Sequence, residues 1–213
     1  MNEEQYVIGL CRDDEVIRRA VANMVHAIES SRRFPANVFS SDWKEFVFFD
    51  SDLVFKQEFA SDVRTLLEME GSVCVCLANL FKMAQGVDSD QCCVFLDNKI
   101  ENKQYLSLLA GADHALGLFY DVDAFFGCTS DVGLWTIYCD RGSDIAVMAF
   151  RDHEQLAKFE PVINSLGAVP IEEALVRPPG YGFSPAHITY IPGARRKWLE
   201  WITELKKAYD RNS

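Results

Sequence analysis

The run VGLWTIYCDRGSDIAVMAF, residues 132–150, sets two stretches of aromatic, β-branched and small apolar residues on either side of Asp140-Arg141-Gly142-Ser143. Two β-rich stretches joined by a short polar turn form an antiparallel hairpin, and the glycine in the turn is available for the positive backbone angle of a tight reversal. Parallel neighbours need long crossovers instead. The hairpin therefore rules out an all-helical fold and a sheet made only of parallel strands.

The remaining segments are read around that hairpin. YVIGLCR, residues 6–12, reads as an opening strand. Asp13 then offers an N-cap to a helix with Ile17, Val21, Met24 and Ile28 at helical spacing, ended by Arg32, Arg33 and Pro35. EFVFF is a strand. FKQEFASDVRTLLEMEG is a helix with Phe55, Phe59, Val63 and Leu66 on one side and Gly71 as its stop, and SVCVCL is a buried strand. From residue 80 to 128 the periodicity blurs: NKQYLSLLAG reads as helical, while CCVFL and ALGLFY fit helix or strand equally. A helix starts near His153 and is interrupted near Pro161. RPPGYGFSPAHITYIPG is a Pro/Gly-rich connection with a short strand from Ile188 to Ile191 inside it. The last helix carries Trp198, Trp201 or Ile202, Leu205 and Tyr209 along one stripe. No repeat or linker divides the chain, and 213 residues with 49% hydrophobic side chains suffice for one core. The expectation is a single α+β domain over residues 1–213, with a mixed or mainly antiparallel sheet and helices packed against it.

Charge narrows the function classes. The formal net charge is −11, and it is unevenly placed. Residues 193–213 hold six Lys or Arg against Glu200, Glu204 and Asp210, which leaves 15 basic and 29 acidic side chains, a net −14, on the rest. Such a field opposes nucleic-acid binding, which needs a basic surface to displace counterions from phosphate. It favours encounter with a basic macromolecule and opposes adhesion to anionic membranes. No run of about eighteen apolar residues is present, and the opening MNEEQYVIGL is acidic where a secretory signal is basic and then apolar, so the expected location is the cytoplasm.

Seven cysteines, an odd number, fit reduced thiols better than a disulfide framework. Cys74, Cys76, Cys92 and Cys93 supply the ligand count of a structural zinc site, but the spacing argues against one. Cys74 and Cys76 share one face of a strand, whereas vicinal Cys92 and Cys93 point opposite ways in an extended chain. Buried small hydrophobes is the expected role, with no metal and no cofactor.

Two segments, FVFFDSDLVF (46–55) and GLFYDVDAFF (117–126), each deliver an Asp-x-Asp pair after an apolar run: Asp50 with Asp52, and Asp121 with Asp123. The pattern is similar to the divalent-metal signature of nucleotide-sugar glycosyltransferases, where carboxylates hold a cation on the donor's phosphates. No glycine-rich strand-to-helix turn precedes either copy. Haloacid-dehalogenase phosphatases use a similar pair but continue with Thr or Val, a lysine and a later acidic pair, and here Val54 and Ala124-Phe125 stand in those places. A metal-dependent enzyme acting through Asp121 and Asp123 is thus the alternative reading, and a scaffold or ligand-sensing domain is a third. None of His26, His114, His153 and His187 forms a pair with metal-ligand spacing, no glycine-bracketed serine makes a nucleophile elbow, and nothing selects a dyad from Cys128 or Cys139 with a histidine. No catalytic residue is assigned.

LWTIYCDRGSDIAVMAF, preceded by FYDVDAFFG, resembles the hairpin region of bacterial immunity proteins, the small acidic cytosolic antidotes that cap a toxin delivered by a neighbouring cell; the resemblance covers about thirty residues. It implies a non-enzymatic protein that binds and neutralises a basic toxin domain, often a nuclease. On that reading Asp50, Asp52, Asp121, Asp123, Asp140 and Asp144 are the partner-binding candidates, steering the partner and pairing with its Lys and Arg.

Overall fold

In the computed structural model, which describes residues 10–110, 125–176 and 194–210, the 132–150 run is a hairpin. Its strands are β5 (Trp135–Asp140) and β6 (Ile145–Phe150), paired antiparallel from Trp135 opposite Phe150 to Asp140 opposite Ile145. The residue in the left-handed region is Asp144, at φ 56°, and Gly142 is not in it. The aspartate at the start of the turn explains why glycine's freedom is not needed there. Asp140 Oδ1 accepts the Gly142 N–H at 3.0 Å, which closes the turn locally and moves the positive angle to its last residue. Aspartate tolerates that angle better than most side chains.

Four further strands extend the hairpin on both sides: β1 (Glu45–Asp50), β2 (Val75–Asn79), β3 (Cys93–Leu96) and β4 (Phe125–Ser130). The order is β1-β6-β5-β4-β2-β3 and every neighbouring pair is antiparallel. Both faces are covered, which is why EFVFF, SVCVCL and IAVMAF read as nearly continuous apolar runs rather than alternating ones. On one face Val47, Leu77, Ile137 and Met148 pack under α2 (Phe59–Glu70), α5 (Asn102–Ala110) and α7 (Glu160–Ser165). On the other Phe48, Cys76, Tyr138 and Val147 pack under α1 (Asp14–Ala27), the 28–43 segment, α8 (Ile171–Ala174) and α9 (Ala194–Tyr209). Short helices α3 (Leu80–Ala84), α4 (Ser89–Cys92) and α6 (His153–Lys158) complete the described chain, and α6 gives way to α7 just before Pro161. The result is an α+β unit around one sheet.

Asp13 caps α1 as expected, its Oδ1 accepting from Glu15 N at 2.9 Å and Val16 N at 3.1 Å. The buried stripe is Val16, Ala20, Met24 and Ala27, and Ile17 and Val21 flank it half-covered. The helix is set low over the sheet: a Cβ on Gly127 of β4 would stand 2.3 Å from Met24 Sδ, so a larger residue there would have to displace the Met24 side chain. α1 also ends earlier than Arg32, Arg33 and Pro35 suggest. Ile28 forms an antiparallel bridge with Phe39, and Ser40 N–H donates to Ala27 O at 2.9 Å, which pulls the chain out of the helix. Phe55 belongs not to α2 but to a 3-10 turn, Ser51–Phe55, which precedes it; Gly71, at φ 77°, stops α2.

At the far end of α9, Tyr209 closes the aromatic cluster of the α1 face. Its ring meets Phe34, Phe39, Phe46 and Phe48 edge-on at centroid distances of 5.0–6.4 Å. Its hydroxyl accepts from Val38 N at 3.1 Å and donates to Ala36 O at 3.3 Å. Of the expected opening strand, Leu10 bridges Leu96 and Cys11 N–H donates to Phe95 O, while residues 6–9 lie outside the described residues. ALGLFY and the 177–193 connection lie outside them as well. No described helix is long and apolar enough to cross a membrane.

Candidate functional site

The register brings the C-terminal end of β1 beside the hairpin turn. Asp50 stands opposite Ile145, Ile145 opposite Asp140, and Asp140 opposite Phe125, so one line of residues crosses β1, β6, β5 and β4 at a single end of the sheet. Beyond this line the 3-10 turn and the hairpin turn touch: Ser51 N–H donates to Asp144 O at 3.2 Å. Two aspartates from each segment, Asp50 with Asp52 and Asp140 with Asp144, are thereby gathered. Asp121 and Asp123 lie outside the described residues.

The four aspartates are not equivalent. Asp50 and Asp140 are half-buried and serve their own turns, Asp50 Oδ1 accepting the Asp52 N–H at 2.9 Å and Asp140 Oδ1 that of Gly142. Burial pushes both carboxyls above the usual range; for Asp50 the Asp52 and Asp144 carboxylates add to the rise, while for Asp140 the turn's hydrogen bonds and Arg33 oppose it. Asp140 is therefore committed to its own turn and is not a free side chain at the hairpin tip. Asp52 and Asp144 are exposed.

Cations flank this end without covering it. Arg141 reaches Asp52 at only 3.9 Å and lies over the Phe55 ring at 4.7 Å. Arg33 lies 3.3 Å above the centre of Phe125, whose ring is nearly parallel to that of Tyr138 at 6.5 Å. Both arginines are engaged with aromatic faces, an arrangement that suits guanidinium. The exposed Asp52 and Asp144 keep carboxylate oxygens able to accept charge-assisted hydrogen bonds from Lys or Arg side chains.

Among the described residues no group of three or more His, Cys, Asp or Glu is placed to share a metal ion. Cys74, Cys76, Cys92 and Cys93 are buried together on the α1 face. Cys92 and Cys93 are not both extended, the condition under which they would point apart: Cys92 ends α4 and Cys93 begins β3, and the change of conformation between them brings the sulfurs to 3.8 Å. Burial pushes the Cys74 thiol up, and a hydrogen bond with Cys76 together with burial does the same for Cys93. Cys128 and Cys139, on the α2 face, are likewise held protonated by burial. The thiolate that a nucleophile or a metal ligand needs is thus disfavoured at these positions. Of the histidines, His26 is exposed and lies 3.4 Å from Asp42, His153 is exposed at the start of α6, and His114 and His187 lie outside the described residues.

The carboxylates that the fold itself consumes carry no signal in the sequence. Asp131, 7% exposed, accepts Val73 N at 2.9 Å and Cys74 N at 3.0 Å on one oxygen and Arg19 Nη2 at 3.2 Å on the other. Glu70 accepts Leu134 N at 2.6 Å and Trp135 Nε1 at 3.1 Å. Both secure the opposite end of the sheet, where α2 and β4 lead into the next strands. Nothing local separates SDVG or EMEG from ordinary polar turns, because the amides they satisfy are about sixty residues away in the chain. The chain matches no family model, and neither the curated proteins nor the solved structures contain a match.

Proposed function

We propose that the chain is a non-enzymatic, acidic protein-binding module of the immunity-protein kind, which captures and neutralises a basic toxin domain. The observation that carries this reading is the convergence of Asp50 and Asp52 with Asp140 and Asp144 at one end of the sheet, with the second pair on the turn of the β5–β6 hairpin. Asp52 and Asp144 make the direct contacts, because they are exposed. Asp50 and Asp140 shape the two turns that present them. The net −14 of residues 1–192 supplies the long-range attraction.

The test is capture from a lysate of the native host with the wild-type chain and with the double variant Asp52→Asn, Asp144→Asn. Asparagine tolerates the positive φ at 144, so the melting temperature should stay nearly unchanged. The wild type should capture a basic protein whose expression alone arrests growth and whose co-expression with the chain does not, and the variant should capture markedly less of it. Equal capture by both proteins, or a captured protein whose toxicity the chain leaves intact, would overturn the proposal.

A further inference from the structure

We draw no further inference here: the strongest candidate, the groove of about 580 Å³ between α2 and the turn that follows β3, carries nothing, because Arg64 spends its guanidinium on the Ile100 carbonyl and on Asn102, Ser72 is buried beside the Gly71 stop, and Ser61, Thr65, Glu68 and Asn98 are the outer side of that helix and turn, with nothing in the structure to show what covers them.

Discussion

Replacing Gly127 by alanine tests how closely α1 is seated on the sheet. An added Cβ would stand 2.3 Å from Met24 Sδ, 3.0 Å from Ile28 Cδ1 and 3.1 Å from Leu80 Cδ2. Met24 is fully buried and Ile28 and Leu80 nearly so, which leaves the thioether little room to swing aside. Overpacking of this kind costs about 1–3 kcal/mol. The lower chain entropy of unfolded alanine offsets roughly 0.4–1 kcal/mol, so a net loss of about 1–2 kcal/mol is expected. Met24→Ala alone should cost about 2–5 kcal/mol by leaving a cavity. In the double variant the new methyl group occupies part of the space that Met24 vacates, so the total loss should fall short of the sum by about 1 kcal/mol or more. Urea unfolding of the four proteins, followed by tryptophan fluorescence, reads all these quantities. A neutral or stabilised Gly127→Ala protein, or strict additivity in the double variant, would show that α1 does not rest on Gly127.

Tyr209→Phe keeps the aromatic cluster but leaves the fully buried Val38 without the hydroxyl that accepts its N–H, and should lose about 1–3 kcal/mol in the same urea assay; a loss below about 0.5 kcal/mol would contradict the hydrogen bond. Asp62 of α2 is buried, and burial pushes its carboxyl up against a hydrogen bond from Ser165 and the charge of Arg64. The folded protein therefore holds this proton more tightly than the unfolded chain does. The associated stability is present below the unfolded value of about 3.9 and is lost as pH rises through the folded value. Asp62→Asn removes that dependence, so unfolding measured from acid to neutral pH should show the variant gaining on the wild type across this window and levelling off above it. A difference that stays constant with pH would refute the assignment.

How much of this was legible in the sequence depended on the range of the interactions involved. The hairpin, the Asp13 cap and the Gly71 stop rest on local contacts, the stripe of the last helix shows in its periodicity although the contacts it makes are distant, and the structure has each of them. The all-antiparallel strand order was not legible, because it depends on β2 lying between β3 and β4, which no local pattern specifies. The early end of α1 is a tertiary effect of the same kind: the Ile28–Phe39 bridge outweighs helical spacing that continues through Ile28. At the candidate site the residue types could be named from sequence, but their division of labour could not. The burial of Asp50 and Asp140 against the exposure of Asp52 and Asp144 follows from how two turns pack together, and neither turn reveals it alone.

Capture of a basic partner by this end of the sheet is tested most directly by association kinetics of the captured protein with the wild-type chain and with the Asp52→Asn, Asp144→Asn variant across a salt series. Between about 0.1 M and 1 M salt the screening length falls from about 10 Å to about 3 Å. If the carboxylates steer the partner, the wild-type association rate should fall by about tenfold or more over that range, while dissociation changes little. The variant should start from a slower association rate and lose less of it to salt. Identical association rates and identical salt dependence in the two proteins would contradict the proposal.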